Sequence, residues 1–261
     1  MPEDQWRARR AGVETSIRTA LVWDRVLATA TAQSARLGRP LRVIDLGGGT
    51  GGVAVPLAGY GHDVTVVDPS PNALAALDRR INDAGVSDRV RAVQGDALTL
   101  PQVYPLGDVD LVCCHGVLEV VDDPASTVLA LSVALAPDGV VSLVVAQRLA
   151  AVLARALAGR FAQAQHALDS PDGRWGDNDP TPRRFDIDDV RDMLTAAGLT
   201  IVEAHGVRIF SDLVPSEYLD TESDRAALLD LERRIGTHPD HALLARLGAA
   251  AHVLARKVVS A

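Results

Sequence analysis

The chain has 261 residues, 48% of them hydrophobic and 23% charged, with 21 glycines and 14 prolines dispersed rather than gathered in a low-complexity tract. That length and mixture suit one large α/β domain with a sizeable core and exclude a disordered tail or a mini-protein. The formal net charge of −8 argues against a protein that grips nucleic acid through a broad basic surface, while leaving room for a local basic patch.

Residues 1–10 carry Glu3, Asp4, Arg7, Arg9 and Arg10 and lead into no apolar core with a cleavage site, so no secretory signal is read there and a cytoplasmic location is expected. Ile17, Leu21, Val26 and Leu27 have helical spacing, closed by Gly38 and Pro40, which predicts an N-terminal helical extension within residues 1–40. Short apolar, β-branched runs follow at 41–46, 63–68, 89–93, 109–113, 140–146 and 199–204, with helical patterns between them at 51–58, 71–84, 124–136 and 188–197. Asp123 before Pro124 and Gly198 after Ala197 are start and stop signals for two of these helices. This alternation is the rhythm of a parallel sheet crossed over by helices on both faces. Cys113 and Cys114 are neighbours, an awkward geometry for a disulfide and no metal-ligand spacing, so both are read as reduced structural thiols and no metal is expected. The longest apolar stretches, near 140–146 and 150–153, fall far short of the roughly 18 to 20 residues that cross a bilayer, and no membrane contact is expected. A helix at 148–168 and an aperiodic loop at 169–185 form an insertion over 148–185 expected to cap a substrate site. A helix at 217–235, a short one near 239–247 and a last strand at 249–258 complete what reads as one domain, 1–261.

The densest signal is Val43-Ile44-Asp45-Leu46-Gly47-Gly48-Gly49-Thr50-Gly51-Gly52, a strand end running into a helix. Glycines let the backbone turn and approach a ligand, and ligands of open α/β sheets sit outside the carboxyl ends of the strands. The loop alone also satisfies G-x-G-x-x-G, so a dinucleotide fits it as well. Three acids weigh against that. Asp45 lies under the loop, where it suits loop amides or a cofactor ammonium; Asp68 closes the second strand, where it suits both hydroxyls of a ribose; Asp96 follows the third, where it suits an adenine amine. Each alone is equally a helix cap or a loop-ordering carboxylate. Together, after three successive strands, they favour S-adenosylmethionine over NAD.

Through Asp45-Leu46-Gly47-Gly48-Gly49-Thr50-Gly51, Asp68 and Gly95-Asp96-Ala97 the chain resembles the class I S-adenosylmethionine-dependent methyltransferases. Within them it is similar to the bacterial tRNA 5-carboxymethoxyuridine methyltransferases, through the runs at 17–23, 115–124, 206–212 and 252–257. The resemblance implies a Rossmann-like fold with a mostly parallel seven-stranded sheet, helices on both faces and an N-terminal helix. It implies S-adenosylmethionine as cofactor, held by Arg18, Asp45, Gly47, Gly48, Gly49, Asp68, Asp96, Ala97 and His115. His115 is otherwise a histidine that orders its loop. The implied reaction methylates the carboxylate of 5-carboxymethoxyuridine at the tRNA wobble position. Such a carboxylate is already ionised at neutral pH, so no general base, metal or Ser/His/Asp constellation is needed, and no catalytic residue is singled out.

The substrate side is less defined. Arg208 suits a carboxylate or a phosphate, but equally a structural pair with Asp212; Arg183 and Arg184 suit phosphate contacts or a solvated surface. Trp175 suits stacking on a base or anchoring its loop. Residues 160–192 depart from the resemblance, with five arginines against eight aspartates, a net charge of −3 that disfavours tRNA. A small-molecule O-methyltransferase on the same scaffold therefore stands beside the tRNA enzyme, a non-catalytic S-adenosylmethionine-binding module and an NAD dehydrogenase behind them. Nothing in the sequence specifies an oligomeric state.

Overall fold

The structure, a computed structural model, describes residues 20–236, 238 and 242–258. Helix α1 (Ala20–Leu37) lays Val22, Trp23, Val26 and Ala30 on the sheet at helical spacing. Strand β1 (Arg42–Leu46), α2 (Ala54–Gly59), β2 (Asp63–Asp68), α3 (Pro71–Ala84), β3 (Val90–Gln94), a short α4 (Leu100–Val103), β4 (Val109–His115), α5 (Pro124–Ala134) and β5 (Leu135–Ala146) follow. Then come α6 (Arg148–Leu157), α7 (Phe161–Asp169), α8 (Ile187–Ala196), β6 (Leu199–Val207), α9 (Glu222–Gly236), α10 (Ala242–Ala245) and β7 (Ala250–Lys257).

The seven strands form one sheet in the order β3-β2-β1-β4-β5-β7-β6, parallel from β3 through β5, with β7 antiparallel to both its neighbours. The central strands are buried along almost their whole length, which is why they read as unbroken apolar runs, while edge strand β6 alternates over its first half. The two-residue period sorts the core. Val43, Val66, Leu111 and Cys113 pack with α1, α2 and α3 on one face; Ile44, Val67, Val112 and Cys114 pack with α5 and α8 on the other. Cys113 and Cys114 thus point to opposite faces as buried free thiols. Strand order reverses direction between β1 and β4, so a crevice opens at their carboxyl ends, the place where such sheets bind ligands.

Several boundaries differ from the sequence reading. The helix expected at 148–168 is two, broken where Gly159 adopts a left-handed φ of +70°. The one expected at 51–58 starts at Ala54, after the glycine turn, and the one at 217–235 starts at Glu222 behind a 3₁₀ turn at Ser216–Leu219. Strand β5 begins at Leu135 rather than near 140, through an irregularity where the pairing jumps from Val109–Leu135 to Leu111–Val140 around the left-handed Asp138. The short helix α4 and the 3₁₀ turn before it carry no period long enough to be read.

Candidate functional site

At the crevice, β1 delivers Gly47 with φ +68°, and its amide donates to the Val67 carbonyl at 2.7 Å, fastening the loop to β2. A Cβ on Gly48 would lie 2.4 Å from Asp45 Oδ2, so the loop backbone rides directly on that carboxyl. Asp45 is 3% exposed, and its Oδ2 is buried with no hydrogen-bond partner. Burial pushes its pKa up to about 7, against the Ala54 amide, with Asp68 adding repulsion. A buried carboxyl oxygen without a donor costs free energy until a donor reaches it, and this one faces the loop where a cofactor's cationic group would be held. That unmatched acceptor is the observation by which the residues fit S-adenosylmethionine.

Asp68 is also buried; Oδ2 accepts from the Gly49 amide at 2.9 Å and Oδ1 from the Ser70 amide at 2.8 Å. Each oxygen keeps a second lone pair, enough for a diol. The Gly95 amide donates to the Asp68 carbonyl at 3.2 Å, drawing the third loop to the second. Asp96 there caps the 3₁₀ turn Ala97–Thr99, accepting from the Leu98 amide at 2.9 Å, while Ala97 is buried. His115 ends β4 at the same edge, half-buried, with Nε2 bonded to Ser142 Oγ at 2.8 Å. Asp45, Gly47, Gly48, Gly49, Asp68, Asp96, Ala97 and His115 therefore share one edge of the sheet; Arg18 lies outside the described residues.

Farther along this edge, beyond the ends of β5 and β6, a cleft of about 220 Å³ opens between α6, the 169–185 loop and the segment after β6. Its walls include Arg155, Trp175, Arg184, Arg208, Asp212 and Leu213. The Arg155 guanidinium lies 4.1 Å from the centre of the Trp175 ring, a cation–π pair. Arg208 holds a left-handed φ of +58°, rare for a side-chain-bearing residue, and its guanidinium approaches Asp212 at 3.6 Å. Arg184 is paired in a fork with buried Asp179, which also accepts from the Trp175 and Thr181 amides, so this pair shapes the loop that carries Trp175. Arg183 donates to the carbonyls of Leu118 and Val121 and steadies the turn after β4. Three of the eight aspartates in 160–192 are ion-paired, Asp179 with Arg184, Asp186 with Arg148, and Asp188 with Arg191 and Arg246. Two of these arginines, Arg148 and Arg246, lie outside 160–192, so the count for that segment overstates its unpaired negative charge.

Three contributors were not singled out from sequence. Buried Glu119 accepts from the Ala146 amide and ties the ends of β4 and β5; its Oε2 has no partner, and burial raises its pKa against the pull of that amide and Arg183. Glu232 on α9 accepts from the amides of Ile209, Phe210 and Ser211, each at 2.8 Å, and so holds the segment that follows Arg208. Arg155 sits on a helix whose period gives no hint that Trp175, twenty residues on, will cover it. Glu119 lay inside the 115–124 run that carried the resemblance; the other two carry no local signal.

A family model described as a methyltransferase domain matches residues 18–204. The chain belongs to the S-adenosylmethionine-dependent methyltransferases. Its methyl donor is S-adenosylmethionine, and the residues at the crevice fit that cofactor. The tRNA 5-carboxymethoxyuridine methyltransferase of Escherichia coli K12 is 32% identical over 244 residues, 92% of this chain and 88% of the relative. The ubiquinone biosynthesis O-methyltransferase of Ralstonia nicotianae is 35% identical over only 98 residues, 38% of this chain and 40% of that protein. Among solved structures, the YcgJ protein of Bacillus subtilis overlays with a TM-score of 0.57 at 17% identity, over 92% of this chain and 99% of that one, a likeness of fold alone. The mostly parallel seven-stranded sheet expected from the sequence is the one found. Among the described residues, no helix is long and apolar enough to cross a membrane, and no cluster of three or more His, Cys, Asp or Glu has the arrangement to hold a metal ion.

Proposed function

We propose that this enzyme methylates the carboxylate of 5-carboxymethoxyuridine at the wobble position of tRNA. The observation that carries this reading is the cleft beside the cofactor crevice, which Trp175, Arg155 and Arg208 all line. A flat base bearing a carboxylate needs an aromatic platform and a planar cation, and those are the two chemistries present. Similarity over nearly the whole length of the E. coli enzyme supports the same substrate.

When bound, S-adenosylmethionine supplies an electrophilic methyl group on a sulfonium. The chain's residues bind and orient: Asp45 receives the cofactor's cationic end, Asp68 the ribose hydroxyls, and Asp96 with Ala97 the adenine side. Arg18 takes the methionine carboxylate. Arg208 holds the acceptor carboxylate, with Arg155 adding positive potential, while Arg184 shapes the loop and Arg183 supports the turn beside His115. The 148–185 insertion covers the reacting atoms. No side chain removes a proton, because the nucleophile is ionised at neutral pH. With the cofactor held there, the chain's contribution to rate would be to position the acceptor carboxylate toward it and to exclude water.

Wobble nucleosides from a strain lacking this gene, compared with its parent by mass spectrometry, test the proposal. Loss of the methyl ester with accumulation of the free acid supports it. Unchanged nucleosides refute it and favour the small-molecule O-methyltransferase, the reading that the net charge of −8 suits best.

A further inference from the structure

Behind His115, a buried polar feature extends beyond the reading above: a hydrogen-bonded row that crosses four strands on the α1 side of the sheet. His115 Nε2 on β4 meets Ser142 Oγ on β5 at 2.8 Å; Ser142 Oγ meets His252 Nε2 on β7 at 2.7 Å; His252 Nδ1 meets His205 Nε2 on β6 at 3.0 Å. The row ends where His205 Nδ1, fully buried and without a hydrogen bond, faces the Glu203 carboxylate at 3.6 Å. Glu203 in turn pairs with Arg25 of α1 at 3.2 Å. The rings stand edge to face, His205 on His252 at 90° and His115 on His252 at 81°.

We propose that Glu203 acts as a positioning residue, fixing through His205, His252 and Ser142 the tautomer of His115, so that its proton sits on Nε2 and its Nδ1 lone pair is offered at the cofactor crevice. A neutral imidazole has one donor and one acceptor nitrogen, and a hydroxyl donates one hydrogen and accepts up to two; were both imidazoles to donate to Ser142, its fully buried hydroxyl hydrogen would have no acceptor, so the row is left with two directions. Both directions satisfy all three internal hydrogen bonds, and only the ends distinguish them. With the donors aimed toward β6, His205 Nδ1–H faces the carboxylate. With the donors reversed, a lone pair faces that anion in a buried setting, which is repulsive. The first direction places a hydrogen on every nitrogen nearest Glu203 and leaves His115 Nδ1 as the acceptor; that atom makes no hydrogen bond among the described residues. Burial keeps the rings neutral, as the argument requires: it draws His115 and His205 down to about 4 and His252 well below its ordinary value. An acceptor at the end of β4 suits an N–H or ammonium donor of the cofactor, and this step rests on the reading of His115 as a cofactor contact.

Nitrogen-15 NMR of the histidine side chains in the full chain, with each resonance assigned by single substitution, reads the tautomers directly. The expected result is His115 as the Nε2–H form by on the order of tenfold, collapsing to a mixture in Glu203→Ala and reversing toward Nδ1–H in Glu203→Lys. Ser142→Ala, which cuts the row near His115, should also produce a mixture. A His115 tautomer already mixed in the native protein, or unmoved by both Glu203 variants, overturns the proposal. Calorimetric affinity for S-adenosylhomocysteine separates the two layers. Several-fold weakening in Glu203→Ala that vanishes in a His115→Ala background supports both. A shifted tautomer with unchanged affinity upholds the positioning by Glu203 and removes His115 from the cofactor contacts.

Discussion

Replacing Glu232 with alanine removes the acceptor of three backbone amides, those of Ile209, Phe210 and Ser211, together with the Ser211 hydroxyl at 2.7 Å. The Ile209 amide is buried and left without a partner, at about 1–3 kcal/mol; the others lie nearer solvent and lose about 0.5–1.5 kcal/mol each. The total is about 2.5–7.5 kcal/mol, a large share of the roughly 5–15 kcal/mol of an ordinary domain, and should lower Tm by at least about 5 °C. The damage is local to the segment that starts at Arg208, with three strands between it and the glycine loop of β1. The acceptor KM should therefore rise while affinity for S-adenosylhomocysteine stays within about twofold of native. Glu232→Gln, which keeps one acceptor oxygen, should fall between native and alanine. Urea and thermal unfolding give the stability, steady-state kinetics and calorimetry the rest. A Tm shift under about 2 °C, or cofactor affinity falling in step with KM, would refute the assignment of Glu232 to the acceptor side.

Other consequences follow from the same geometry. Asp68→Asn should weaken S-adenosylhomocysteine binding at least tenfold, on the order of 1.4 kcal/mol, because the amide turns a donor toward the Gly49 or Ser70 amide; unchanged calorimetric affinity would contradict this. Arg208→Ala should raise the acceptor KM about tenfold or more without moving cofactor affinity, and an unaltered KM would remove Arg208 from the substrate site. Stability should depend on pH in a defined window. His115 and His205 have folded pKa values depressed to about 4, and burial holds His252 well below its ordinary value, against an unfolded value near 6.5, so their contribution is present above about pH 6.5 and is lost as pH falls toward about 4. Asp45, raised to about 7, opposes them, its contribution being lost as pH rises from about 4 through about 7. Among these four groups the three imidazoles outweigh Asp45, so this part of the stability should fall as pH drops below about 6.5. Urea midpoints that stay level between about pH 6.5 and about pH 4.5 would contradict the buried neutral row.

How much of this was legible in the sequence depended on range. Where the deciding interaction spans a few residues, the sequence reading held. Asp123 before Pro124 caps its helix as read, accepting from the Ala125 and Ser126 amides, and Gly198 follows α8 in a left-handed conformation. The buried strands showed as apolar runs because both faces are covered. Gly159 illustrates the limit: a single glycine in a helical pattern is tolerated or breaks the helix according to what packs around it, and here it breaks it. Asp96 shows the same ambiguity at a site, since the cap and the ligand contact demand the same carboxylate in the same loop. The features that complete the two sites join residues far apart: on the acceptor side Glu232 reaches back to Ile209 and Arg155 forward to Trp175, and behind His115 Ser142 bonds His252 across 110 residues. No periodicity announces such pairs, because each member looks ordinary on its own helix or strand. A charge count is limited for a related reason, since a count of aspartates in 160–192 is blind to the arginines from outside the segment, Arg148 and Arg246, that pair with two of them.

The central claim is methyl transfer from S-adenosylmethionine to a carboxylate oxygen held in the Arg155–Trp175–Arg208 cleft. Its most direct test incubates the purified protein with methyl-labelled S-adenosylmethionine and tRNA carrying the free acid at the wobble position, then digests the tRNA and treats the labelled nucleoside with mild alkali. An ester releases its methyl group as methanol, whereas methyl on a ring nitrogen or an ether oxygen stays. Label on the wobble nucleoside that alkali removes, and that Arg208→Ala greatly reduces, is the predicted result. Label that resists alkali, or none on tRNA while a small acceptor is methylated, would contradict the account.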